Sequence, residues 1–224
     1  FEFDKLIDML NHSFGSLRRG SEPEKGKSPV FNNRLTVHNK ELSEAHLCIG
    51  VEGLPQASDE RYVLFLLNTI LGAGVSSRLF QEIREKRGLA YSIYSYISAY
   101  LDTGLWAVYA GTGRKRVAQV MELIVKEMRE LADNVTEIEL ERAKAQLKGN
   151  LILGLESTSS RMQNIARQEI YYGKYFSSSE LIKDINAVDL KRVKDLSKRL
   201  MSQNAFAVTV FGPVNEGDIK GIVG

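Results

Sequence analysis

The chain has 224 residues, 43% of them hydrophobic and 26% charged, and carries a net charge of +2 at pH 7. That is enough sequence to bury a sizeable core and an ordinary globular composition, and its near-neutral balance gives no reason to expect a nucleic acid or other polyanionic partner. A single cysteine, Cys48, excludes an internal disulfide, and no apolar run approaches the ~20 residues of a bilayer span.

In chain order, residues 1–18 open with FEFDKLIDML, a helix whose apolar face is Phe3, Leu6, Ile7 and Leu10. Residues 19–30, RGSEPEKGKSPV, are a charged linker rich in Pro, Gly and Ser. The remainder, 31–224, is the domain proper. Strands are expected at 31–39 and 43–52, and the run Leu47-Cys48-Ile49 predicts a buried, inert thiol. Pro55 to Ser58 is a turn. A helix at 59–71 is apolar on every side between Val63 and Leu67, which makes Val63, Phe65, Leu66 and Leu67 core residues.

The densest information lies in Leu71 to Tyr91, LGAGVSSRLFQEIREKRGLAY. Gly72 and Gly74 break the preceding helix, and Gly72-Ala73-Gly74 lacks the Gly-Lys-Ser/Thr of a phosphate loop. Ser76 or Ser77 can cap a new helix, with Leu79, Phe80 and Ile83 as its apolar stripe. Lys86 and Arg87 suit its last turn and Gly88 its stop. Helical projection puts Arg84 at the edge of the stripe beside Phe80, while Arg87 projects into the stripe and calls for a structural partner. Tyr91 begins a strand, so Arg84 and Tyr91 flank a helix-to-strand corner. A guanidinium with its stem packed and its head free could clamp a peptide carbonyl there.

Strands 90–100 and 104–112 form a hairpin through Leu101-Asp102-Thr103. Tyr94, Tyr96 and Tyr100 share a strand face, where packing is the ordinary role. Helix 114–132 carries Val117, Met121, Ile124, Met128 and Leu131 at helical spacing. Thr136 with Glu139, and Ser177 with Glu180, are capping boxes. Asp189 caps the last helix, and strand 205–211 precedes Gly212-Pro213 and a short segment around Asp218 and Ile219. The pattern implies an α+β domain, an antiparallel sheet with helices packed on one face.

The stretch Leu71–Tyr91, with 100–105 (YLDTGL), 109–112 (YAGT), Val135-Thr136 before 139–144 (ELERAK), 155–162 (LESTSSRM) and 210–213 (VFGP), resembles the second domain of the pitrilysin/insulinase-type zinc peptidases, in the mitochondrial-processing-peptidase-like branch. The resemblance covers almost the whole chain, in order. It implies the fold just described, with residues 1–18 as the closing helix of a preceding domain. It also implies that Arg84 and Tyr91, seven residues apart, hold substrate backbone across a chamber.

In that family the zinc-bearing half carries H-x-x-E-H with a distant glutamate as third ligand. The three histidines here, His12, His38 and His46, begin no such motif. His38-Asn39-Lys40-Glu41 comes nearest, but Leu42 stands where the second histidine belongs, and Glu44-Ala45-His46 lies in a strand pattern. The resemblance therefore implies the substrate-binding half of a zinc metalloendopeptidase. The zinc would be bound by the absent preceding domain, the substrate would be a peptide or unfolded protein, and the full-length enzyme would be a cytoplasmic homodimer or heterodimer. A non-catalytic assembly subunit of the same fold is the alternative, and a plain peptide-binding domain is a third reading.

Overall fold

The computed structural model describes residues 2–18, 20–21, 26–202 and 206–222. A five-stranded sheet has the order β1-β5-β2-β4-β3, with β1 Leu35–Asn39, β2 Ala45–Glu52, β3 Ala90–Ala99, β4 Gly104–Thr112 and β5 Ala207–Gly212. Three of its pairings are antiparallel, but β1 runs parallel to β5, with Val37 opposite Val210, so the sheet is mixed. The fold class is α+β as expected. The correction is to the uniformly antiparallel sheet, because β5 enters between β1 and β2 and must run with one of them. The first strand is also shorter than 31–39, starting at Leu35.

Alternation along the strands sets two faces. Ala45, Leu47, Ile49 and Val51 of β2, with Trp106, Val108 and Ala110 of β4, face the helices and are buried. Helices α2 (Arg61–Leu71), α3 (Val117–Asn134) and α7 (Leu190–Ser202) cover that face. Val63, Leu66 and Leu67 of α2 are core residues as expected, but Phe65 is only half-buried, turned toward Tyr62 at a ring distance of 6.1 Å. All five stripe residues of α3, from Val117 to Leu131, are buried. Trp106 is fully buried, and its indole N–H donates to Asn68 Oδ1 of α2 at 3.1 Å.

The capping chemistry sits where the sequence put it. Thr136 and Glu139 form a reciprocal box at the start of α4 (Glu137–Gly154), as do Ser177 and Glu180 at α6 (Ser178–Asn186). Ser157 caps α5 (Thr158–Tyr172), and Asp189 Oδ1 accepts from the Arg192 amide at 2.8 Å. The 101–103 turn closes through Tyr100 N–H donating to Thr103 O at 2.9 Å.

The amphipathic helix α1 (Phe3–Phe14) buries none of its residues. The 19–30 segment has no regular structure at 20–21 and 26–30, and residues 19 and 22–25, like Phe1 and Ala205, lie outside the described residues. Among the described residues no helix is long and apolar enough to cross a membrane.

Candidate functional site

The corner between α2 and β3 is built from Leu71 to Tyr91. Gly72 ends α2 with its N–H on Asn68 O, and an added Cβ there would lie 2.5 Å from Ser95 N, so only glycine lets β3 approach this closely. Ser95 N–H donates to Gly72 O at 3.2 Å and Ser95 Oγ to Asn68 O at 3.0 Å. The rest of the loop is tied down by Gln146 Nε2 donating to Ala73 O at 2.6 Å and Ser77 Oγ donating to Gly74 O at 2.6 Å. Ser77 thus donates backward into the loop. It does not accept from a helix amide, so of the two serines the sequence offered, Ser77 is not a side-chain cap.

The helix that follows is a π-helix, Phe80–Glu85, and not the expected α-helix. Its wider turn shows in Lys86 N–H donating to Gln81 O at 3.0 Å, and past its end Leu89 N–H donates to Ile83 O at 2.9 Å. Such turns are rare and concentrate at functional sites. Leu79 and Ile83 are fully buried and anchor it. Arg84 is exposed, its guanidinium 4.9 Å from the Phe80 ring centroid, beside the residue that projection indicated. Among the described residues neither Arg84 nor Arg87 makes an ion pair. The partner expected for Arg87 is absent because the side chain is exposed instead of entering the stripe. Gly88, at φ +57°, turns the chain in the left-handed conformation a helix stop requires.

Two contacts not foreseen from sequence lock the far side of the corner. Arg116 Nη1 donates to Gly88 O at 2.5 Å, and Thr112 Oγ1 donates to Leu89 O at 2.5 Å. The register then slips: Ala90 pairs with Thr112 and Ser92 with Gly111, leaving Tyr91 as the inserted residue of a β-bulge. Ala90 is buried toward the helices while Ser92 lies on the opposite face, and Tyr91 is 64% exposed. A bulge re-aims side chains in this way next to binding sites. The structure therefore sets Arg84 and Tyr91 on the two arms of one pinned corner, both open to solvent.

The face of the sheet turned away from the helices bears a polar-aromatic row. The Tyr94 ring packs tilted against Tyr109, its direct partner across β3 and β4, with centroids 5.2 Å apart. Tyr109 OH is 2.8 Å from His46 Nδ1. Cys48 belongs to this face, half-buried, with Sγ 3.2 Å from Tyr96 OH. The buried thiol expected from Leu47-Cys48-Ile49 is corrected by strand alternation, which sends Leu47 and Ile49 inward and Cys48 outward. Burial, with the thiol beside it, pushes the Tyr96 phenol up to about 12.

At the other end of the π-helix, Arg78 grips α3 and α4. Its Nε and Nη2 donate to Glu139 at 2.6 and 2.8 Å, and Nη1 donates to Asn134 Oδ1 at 2.5 Å. Burial alone would push the Glu139 carboxyl up, but the Arg78 guanidinium and the Thr136 N–H and hydroxyl more than offset it and hold it at about 2.

The Peptidase M16 inactive domain model matches residues 1–147, about two thirds of the chain. The chain belongs to the M16 peptidase family. Over 94% of its length it is 39% identical to a Bacillus subtilis (strain 168) protein named "Uncharacterized zinc protease YmxG", covering 51% of that protein. It is 37% identical, over 95% of its length, to "Uncharacterized zinc protease Rv2782c" of Mycobacterium tuberculosis (strain ATCC 25618 / H37Rv), covering 50% of it. The chain thus spans about half the length of these curated relatives. Among solved structures, the peptidase M16 inactive domain from Pseudomonas fluorescens superposes with a TM-score of 0.82 at 20% identity, over 95% of this chain and 52% of that one. A chain of Complex III2 from Candida albicans does so at 0.85 and 23%, over 100% and 56%. At these identities the two structures establish the fold.

Zinc does not fit the donors among the described residues of this M16 inactive domain. Phe211 pairs with His38 on one side and His46 on the other, so the backbones of the two histidines lie two strands, about 10 Å, apart. A zinc site needs three protein ligands gathered around one point. His12 is on α1, and among the described residues no three His, Cys, Asp or Glu side chains gather as a metal site.

Proposed function

We propose that this chain is the substrate-binding half of a zinc-dependent endopeptidase, with Arg84 and Tyr91 holding the backbone of a peptide or unfolded protein while the zinc ion and its general base come from a preceding domain. The observation that carries the reading is the corner itself. A guanidinium without a carboxylate partner among the described residues and a phenol lifted out of the ladder by a bulge stand on two arms of one segment, each arm tied by backbone and side-chain hydrogen bonds. Donors held in place before substrate arrives cost little to reorganise, so they favour positioning and charge stabilisation of a peptide carbonyl. The relatives are named zinc proteases and are about twice as long as the matched region, which supports placing the metal chemistry outside these residues. In this reading the exposed apolar face of α1, Phe3, Leu6, Ile7 and Leu10, packs against that preceding domain.

The test uses the zinc-loaded full-length protein. Tyr91→Phe removes only the hydroxyl, and Arg84→Ala removes the cation with the best helix-forming residue in its place. Both variants are expected to fold, keep zinc, and lose at least about tenfold in kcat/KM, while Arg114→Ala, on the exposed 3-10 turn after β4, stays near wild type. Wild-type kinetics in both would remove the clamp. A wild-type protein that binds zinc and cleaves no peptide would favour the alternative, a non-catalytic assembly subunit, which draws on the fold shared with a chain of Complex III2.

A further inference from the structure

Next to the bulge, the open face of the sheet carries a second polar cluster. Gly111 of β4 is paired with Ser92, the residue after Tyr91, and with His46 of β2. A Cβ at Gly111 would sit 3.1 Å from Ser92 Oγ, 3.6 Å from Glu44 Oε2 and 3.6 Å from Tyr109 OH. The bare backbone thus lets three oxygens from three different segments draw in around one point, and all three side chains are half-buried and reachable from the open face.

The chemistry of the cluster is that of an acceptor set. Glu44 is its one charged group, and among the described residues it has neither an ion pair nor a hydrogen-bond partner. When Tyr109 donates to His46 Nδ1 across their 2.8 Å contact, its oxygen keeps lone pairs free to accept. An ammonium group has three donors and no acceptor, which matches three convergent oxygens with one negative charge.

We infer that Glu44, Ser92 and Tyr109 form a subsite for a primary ammonium group of the bound peptide, either a lysine side chain or a free chain terminus. The inference rests on the substrate-binding role proposed for the adjoining corner and gives that role a specificity. A bound peptide crossing from Tyr91 along the open face would meet the cluster directly, because Ser92 follows the bulge. The charge-assisted contact strengthens as the ammonium leaves water, so it selects for charge and discriminates against an uncharged side chain of the same length.

Three peptides of otherwise neutral sequence separate the sources in the full-length protein. One is N-acetylated with a single lysine, the second replaces the lysine by norleucine, and the third is the norleucine peptide with a free α-amino group. Wild type is expected to favour one of the two ammonium-bearing peptides over the acetylated norleucine peptide by about tenfold in KM, and which one it favours identifies the source. Glu44→Gln abolishes the preference. Gly111→Ala, which wedges a methyl against Ser92 Oγ, and Ser92→Ala each weaken it. The same comparison by fluorescence anisotropy of labelled peptide reads the subsite even where no peptide is cleaved. Absence of cleavage therefore counts against the peptidase role alone. Equal affinity for all three peptides, or a preference that survives Glu44→Gln, overturns the ammonium subsite.

Discussion

Replacing Glu139 by glutamine separates two jobs that one carboxylate performs. Glutamine keeps the capping box with Thr136, so what is lost is the charge facing Arg78. Both side chains are largely enclosed, 13% exposed for Arg78 and 17% for Glu139, and the Arg78 fork also holds Asn134. Depression of the carboxyl from 4.5 to about 2 corresponds to at most about 3–4 kcal/mol of linkage. Solvent screening of a pair at the domain surface reduces this to about 1–2 kcal/mol. The sign follows from the direction. The folded-state value lies below the unfolded one, so the contribution is complete above about pH 4.5 and drains away as pH falls toward 2. Urea unfolding followed by circular dichroism at steps from pH 7 to pH 2.5 should show Glu139→Gln weaker by about 1–2 kcal/mol at neutral pH. The gap should close progressively below about pH 4.5, making the variant's acid limb shallower than wild type. A gap that stays constant across this range would show that the loss is not electrostatic, and no gap at pH 7 that the Arg78 grip contributes nothing net.

Other outcomes follow from the corner and the glycines. Gly72→Ala forces a Cβ against Ser95 N and is expected to cost about 2–3 kcal/mol, read as a fall in Tm. Gly149→Ala in α4, where nothing lies within 4 Å, should instead raise stability by about 0.5–1 kcal/mol. Arg116→Ala removes the donor to Gly88 O and should cost about 1 kcal/mol, with faster amide exchange at Leu89, whose carbonyl and amide both sit in the corner. The same exchange rate in wild type and variant would assign the rigidity of the corner to Thr112 alone.

Features written in short-range chemistry were legible in the sequence. The two capping boxes, the glycine stop at Gly88, the 101–103 turn and the α3 stripe each depend on residues within one or two turns of one another. The π-helix was not legible, since over six residues the spacing of Leu79, Phe80 and Ile83 fits either helical period. Nor was the bulge, because Tyr91 continues a run of strand-forming residues and its insertion is visible only against the partner strand. Cys48 could have been placed: alternation with Leu47 and Ile49 already sends it to the other face. Arg116 and Arg78 carry no local signal, as each reads as a solvated cation and acquires its role from segments 28 and 61 residues away. The open-face oxygens around Gly111 likewise come from three separate segments, and only the strand order collects them.

That strand order also governs how the molecule can be made. β5 sits between β1 and β2, so Ile49 finds its partner at Val208 and Val37 its partner at Val210. During synthesis the edges of β1 and β2 that flank this gap lack their native partner until some 160 residues more have emerged, and every helix of the covering layer precedes β5 in the chain. Non-local pairings of this kind slow folding, and an open edge left waiting is a template for the wrong strand. An extended peptide of matching pattern offered to the nascent chain competes with β5 for that slot. The interval between synthesis of β2 and arrival of Val208 is therefore the period in which this domain is most exposed to misassembly and to chaperone capture.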